Sequence, residues 1–255
     1  MELSDMKVFD QRVLVPCDRT GVVYWLNGKK AVPWIINADG NGSSDEKPFK
    51  AEWMTIKDEK LWVGGVGKEW TTENGSVDPL IGLNSFYIKV IHKSGFTQHL
   101  NWRINYDLLR LALGTPFPGY LVHEAIQWSD VHQKWFVLPR KHSSDPFDEV
   151  DSQIKGVNFM LVASEDFSDI KIVPLLNKTA VDTRLGFSAF QFLPGTNDQV
   201  IVALKTLEVD DSPLASYIVA LDVTGNILYE EIKIDGDIKL EGIEFVDWTH
   251  LYWNR

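Results

Sequence analysis

The sequence is poor in the residue types that open several functional classes. It has one cysteine, Cys17, so a framework of internal disulfides is excluded. Its six histidines form no cluster with that cysteine, which excludes a zinc centre of the usual kind. No apolar run approaches the ~20 residues that a membrane-crossing helix requires. Basic residues are outnumbered, 25 against 36 acids, and the net charge of −11 argues against nucleic acid as the main partner. That charge suits either cation binding or a solvated acidic surface. The chain opens on Met1-Glu2-Leu3-Ser4-Asp5, which reads as folded sequence, so no signal peptide or anchor is expected in it. Helical periodicity is nearly absent. The exception is Trp102, Tyr106, Leu109 and Leu113, closed by Gly114, which predicts a connector helix over 102–113.

What is present is strand and turn. Residues 188–193, 200–205, 216–222 and 227–234 are apolar or alternating runs separated by Pro194-Gly195, a polar loop at 208–213 and Thr224-Gly225-Asn226. Four consecutive strands joined in this way form an up-and-down meander, the blade of a β-propeller. The same four-beat pattern occurs at 4–9, 12–15, 22–26 and 31–36. It returns at 51–56, 61–63, 86–91 and 96–100, and again at 120–128, 134–138, 158–163 and 170–175. A fifth unit opens at 240–246. The reading is an all-β chain, one domain over residues 1–255, with four-stranded antiparallel blades and an incomplete last blade. Ten tryptophans suit packing between such sheets, and some can stack on a ligand ring.

Each unit carries one oxygen-bearing side chain in its first strand: Ser4, Glu52, Glu124, Ser188 and Glu241. The first strand of a blade lines the central channel, so a ring would aim two hydroxyls and three carboxylates at one axis. Crowded carboxylates repel unless a cation compensates, and a set of oxygen ligands selects Ca2+. Singly, Ser4 and Ser188 read as strand-end hydrogen-bonding groups and the glutamates as surface acids. A glycine-rich bend after residue 63 ends in Lys68-Glu69-Trp70, a cation, an anion and an aromatic ring side by side. It suits a flat, charged ligand, although a core tryptophan and a solvated lysine would explain those residues singly. The bend is not a phosphate loop, because Trp62 stands where the first glycine is needed and Glu69 where a hydroxyl should hold Mg2+.

The segments FKAEWMTIKDEKLWVGGVGKEWTT, GYLVHEAIQWSDVHQKWFVLPRK, GFSAFQFLPGTNDQVIVALK and LEGIEF, with MELSDMKVF and DRTGVVY, resemble the soluble calcium-activated nucleotidase (apyrase) family. The resemblance runs over nearly all of residues 1–245. It implies a five-bladed β-propeller that uses Ca2+ to hydrolyse nucleoside di- and triphosphates (UDP, GDP, ADP and ATP) to release phosphate. It also implies the secretory pathway, in the endoplasmic reticulum or Golgi lumen or outside the cell, and a possible homodimer. The family's calcium-site motifs fall on Ser4, Glu52, Glu124, Ser188 and Glu241. Its nucleotide-contacting motifs fall on Asp18-Arg19, Lys68-Glu69-Trp70 and Arg140. On this pattern Asp18 or Glu69 orients the attacking water, Arg140, Arg19 and Lys68 bind phosphate, and Trp70 stacks on the base.

The chain departs from the family in two places. Cys17 stands where the family has the first of two aspartates, and Asp18 matches the second. Family members also carry strands ahead of the MELS motif, one bringing a further active-site aspartate, and these are expected to be missing here. A tail at 247–255 runs past the usual family ending. The same residues would also serve a propeller that binds Ca2+ and nucleotide with little or no turnover. A protein-interaction propeller is a third reading, which predicts a bare axis.

Overall fold

The computed structural model describes residues 2–43, 47–72, 75–177, 180–210 and 212–246. The tail at 247–255 lies outside them. The chain divides into two compact units. Ile104–Glu241 forms one, and the residues before and after that span form the other.

The first unit contains two meanders. One is β1 (Lys7–Phe9), β2 (Arg12–Pro16), β3 (Val22–Asn27) and β4 (Lys30–Ile36); the next is β5 (Trp53–Lys57), β6 (Lys60–Gly64), β7 (Tyr87–Ile91) and β8 (Thr97–Asn101). Strands pair in chain order and antiparallel in both sheets. Two of the two-residue hairpins turn on Asp10-Gln11 and Asp58-Glu59, where all four residues have positive φ, the geometry that matches strand twist. The inner faces pack a shared core that includes Leu14, Val23, Phe49, Met54, Leu61 and Val63. Asp5 ties the two sheets: its carboxylate accepts from the backbone N–H of Met6 at 2.7 Å and of Met54 at 2.6 Å. Burial pushes the Asp5 carboxyl up to about 7, with Lys7 opposing.

The second unit begins in the connector helix, α1 (Arg103–Ala112), one residue shorter at each end than its periodicity predicts. Trp102 stays with the first unit, where its indole lies 5.5 Å from Trp53. Tyr106 and Leu109 are buried, and Gly114, at φ 68°, follows the end of α1. Six strands follow: β9 (Tyr120–Val122), β10 (Ile126–Ser129), β11 (Lys134–Val137), β12 (Lys141–Ser143), β13 (Phe159–Ser164) and β14 (Ile170–Pro174). The last meander is β15 (Leu185–Phe192), β16 (Val200–Leu207), β17 (Ala215–Asp222) and β18 (Ile227–Lys233). β10, β11, β13 and β14 form one four-stranded sheet and β15 to β18 another, while β9 pairs with β12 alone. Phe136, Leu138, Met160, Phe187, Phe190 and Leu221 are part of the core between them.

Four blade-like sheets are therefore present, each where the sequence pattern places it, and two expectations need correction. The run 120–128 is not one strand. It breaks at His123–Ala125, between the bonds Arg140 N–H to Val122 O (2.9 Å) and Leu138 N–H to Ala125 O (3.0 Å). The residue opposite the break is Pro139, which has no N–H to give to the ladder. The expected fifth-blade strand at 240–246 is also not formed; no strand is assigned after β18 among the described residues. Side chains hold this segment in place of a ladder. In the second unit Ser188 Oγ donates to Leu240 O at 2.8 Å, and Ser216 Oγ accepts from Leu240 N–H at 2.8 Å. In the first, Glu244 Oε2 accepts from Val8 N–H at 3.0 Å.

Phe190 is fully enclosed in the second core. Phe190→Ala should cost about 3–5 kcal/mol by lost burial and cavity formation. The check is a lowered urea midpoint, with Ile172→Ser on the exposed face of β14 within about 0.5 kcal/mol of the parent.

Candidate active site

The five candidate calcium ligands share one local trait: each sits where a ladder begins or fails. Ser4 precedes β1, with its N–H on Pro16 O at 3.2 Å, and Glu52 precedes β5, with its N–H on Gly64 O at 2.7 Å. Glu124 occupies the gap between β9 and β10. Ser188 lies at the bulge of β15, where the register with β16 shifts between Phe187 and Ala189. Glu241 follows the last strand.

In the first unit, Ser4 and Glu52 are both buried. Lys50 bridges two carboxylates, with its Nζ 2.5 Å from Glu52 Oε1 and 2.7 Å from Asp18 Oδ2. Burial opposes the charge on Lys50, yet Glu52 and Asp18 together hold its pKa above the ordinary lysine range. The second oxygen of Asp18, Oδ1, is buried without a hydrogen-bond partner. Asp18 stands in the turn between β2 and β3, which closes on Gly21 at φ 68°. A Cβ there would lie 2.5 Å from Asn37 O, so glycine is required. Arg19 points outward, with its side chain 69% exposed and its Nε 2.8 Å from Glu2 Oε2.

The bend after β6 gathers Lys68, Glu69 and Trp70. Lys68 and Glu69 are buried, and Lys68 Nζ donates to the backbone oxygen of Glu69 at 2.9 Å. Ser85 Oγ donates to Lys68 O and fixes the bend. Burial lowers the Lys68 pKa to about 8, with Glu69 resisting and Lys47 assisting the fall. The Trp70 face is already engaged: Lys47 Nζ lies 3.5 Å from the ring centroid and Lys68 Nζ 5.4 Å. Trp70 Nε1 is a buried donor without an acceptor. Two ammonium groups over one indole, beside an unused N–H, make a setting for an anion.

In the second unit, Arg140 is the hub. Its Nη1 donates to Glu124 Oε2 at 2.8 Å and to Thr206 Oγ1 at 2.7 Å, and its Nη2 donates to Glu208 Oε2 at 2.9 Å. Lys239 bridges Glu208 at 2.8 Å and Glu241 at 2.5 Å. Burial raises the Glu241 pKa, Lys239 opposes that, and Glu124 adds to it by like-charge repulsion. Glu124 and Glu241 thus sense each other across shared cations, and Ser188 joins them through its bond to Leu240 O. Gly186 explains the approach of β15: a Cβ there would meet Arg140 Cγ at 2.6 Å and Arg140 O at 2.7 Å.

Asp18 and Glu52 meet through Lys50, and Glu124, Arg140 and Glu241 meet through Glu208 and Lys239. The sequence reading missed Lys50, Lys239, Glu208 and Lys47. For two of them a signal existed, because Lys50-Ala-Glu52 and Lys239-Leu-Glu241 have the same spacing at the start of two units. Among the described residues, no three His, Cys, Asp or Glu side chains come together as a ready metal cage. The donor chemistry nevertheless fits Ca2+. The candidate ligands are all oxygen, and Glu52, Glu124 and Glu241, the first buried and the other two partly so, are each held at 2.5–2.8 Å by a cation.

Comparison with known proteins places the chain in a family. The profile described as Apyrase matches residues 1–246, and the chain belongs to the apyrase family. It is 48% identical to soluble calcium-activated nucleotidase 1 of Mus musculus over 246 residues, 96% of this chain and 59% of that protein. It is 41% identical to apyrase apy-1 of Caenorhabditis elegans over 245 residues, 96% of this chain and 67% of that protein. An apyrase of Phlebotomus duboscqi is 36% identical over 255 residues, 100% of this chain and 73% of that protein. The chain thus spans 59% of the length of the mouse relative.

Gly186→Ala should be poorly tolerated. The added methyl must displace Arg140, so the variant is expected to lose about 1–3 kcal/mol by overpacking. Thermal melting should show the loss, and Ala189→Gly, three residues on along the same strand, tests whether any change in β15 does the same.

Proposed function

We propose that this protein is a Ca2+-dependent nucleotide phosphohydrolase that cleaves UDP, GDP, ADP and ATP and releases inorganic phosphate in the secretory pathway. Membership of the apyrase family over residues 1–246 carries this reading. The paired carboxylates and cations in each unit support it. Ser4, Glu52, Glu124, Ser188 and Glu241 would hold the ion. Bound Ca2+ would supply charge neutralisation on the phosphate oxygens.

The chain's own groups divide the remaining work. Arg19 is exposed and its partner Glu2 is solvated, so its guanidinium can be drawn to phosphate at little cost. Lys68 brings an ammonium that is poorly hydrated and attracts an anion strongly. Arg140, engaged by two carboxylates and a hydroxyl, positions Glu124 and lends positive charge to its surroundings. Between Asp18 and Glu69, the unsatisfied Oδ1 of Asp18 favours Asp18 as the acceptor that orients the attacking water. Trp70 offers a ring for the base once Lys47 moves aside, and stacking would read little of the base edge.

Phosphate release from UDP and ADP should require Ca2+, fall to background in EDTA and respond weakly to Mg2+; equal rates in all three would end the calcium reading. Glu124→Ala should abolish the Ca2+ response. The pH dependence has a definite sign. Lys68 is ammonium below about 8 and neutral above it, so KM for nucleotide should climb as pH rises through 8. Lys68→Met should raise KM and flatten that limb; an unchanged limb would assign it elsewhere.

A further inference from the structure

Two lysines that the preceding reading leaves without a role occupy matching positions. Lys50 stands two residues before Glu52, and Lys239 two before Glu241. In extended chain, residues two apart share a face, so each ammonium can reach the carboxylate that follows it. Each does so at 2.5 Å. Each also holds a second carboxylate, Asp18 at 2.7 Å for Lys50 and Glu208 at 2.8 Å for Lys239. The glutamate sides are sheltered, with Glu52 at 5% and Glu241 at 16% side-chain exposure. A buried carboxylate stripped of its cation is strongly destabilising, so these glutamates need positive charge at all times.

We propose that Lys50 and Lys239 are internal counter-cations for Glu52 and Glu241, which yield these carboxylates to a divalent cation and stay anchored on Asp18 and Glu208. The inference rests on the calcium reading above and adds to it a pair of positioning residues. Lysine suits the task, since its ammonium is a compact point charge on a flexible stem, whereas the planar fork of Arg140 on Glu124 is held by three acceptors. The second carboxylate gives the displaced ammonium a place to remain. Cation binding then works against an existing ion pair, which moderates affinity, and the glutamates never stand uncompensated.

The test is calcium binding to Lys50→Met and Lys239→Met by titration calorimetry, with the parent protein alongside. Removing a competing charged hydrogen bond should tighten the Kd for Ca2+ on the order of tenfold in each variant. Without Ca2+ both variants should melt earlier than the parent, and Ca2+ should raise their Tm by more than it raises that of the parent. In case a variant does not fold, the parent protein provides a second readout. Amine-reactive labelling of Lys50 and Lys239, followed by mass spectrometry, should increase several-fold on adding Ca2+, while the exposed Lys29 stays constant. If the parent binds Ca2+ but the variants bind equally or more weakly, or labelling does not change, the two lysines are not exchangeable counter-cations. If the parent binds no Ca2+, the calcium reading itself fails and this inference with it.

Discussion

A carboxylate removed from water at the mouth of a strand must be met by positive charge, and much of this molecule answers that demand. Glu52, Glu124 and Glu241 are needed at sheltered positions if they are to face a cation, and there they would repel or become protonated if left alone. The chain supplies Lys50, Arg140 and Lys239 from within the same units. Those cations in turn recruit Asp18 and Glu208, so isolated charges become two connected networks. Burial raises the Glu241 pKa despite the lysine beside it, and the like charge of Glu124 adds to that rise.

The sheets make room for this chemistry by being imperfect. A regular ladder uses every peptide group and alternates its side chains without exception. Ser4 and Glu52 stand just ahead of their ladders, Glu124 in a gap, and Ser188 on a bulge. Bulges and strand ends re-aim single side chains without disturbing the packing behind them. The cores around Leu14 and Met54 and around Phe136 and Phe190 can therefore stay closely packed while polar groups gather at the edges.

Much of the fold was legible because strands and turns leave strong local marks. The Asp58-Glu59 hairpin, the run of four strands ending at β18 and the helix after Trp102 were all readable from period and turn chemistry. The interruption at His123–Ala125 was not, because its cause, Pro139, lies on the partner strand and acts only through pairing. The missing strand after Glu241 was misread because LEGIEF has strand-like composition, and composition does not say whether a neighbour is there to pair with. Another periodicity went unread. Three residues after each candidate ligand stand Lys7, Thr55, Gln127, Gln191 and Glu244, polar in every case. The first four are buried, and Gln127 and Glu244 each bond the backbone of another segment, at Phe190 O and Val8 N–H. The networks around Lys50 and Arg140 depend on side-chain reach between sheets, which a linear reading does not give, although the repeated Lys-x-Glu spacing was there to be noticed.

Pro139 has a consequence of its own. Its ring sets its own φ covalently and leaves no N–H opposite Glu124, so the interruption of the ladder is written into the chain and needs nothing bound to hold it open.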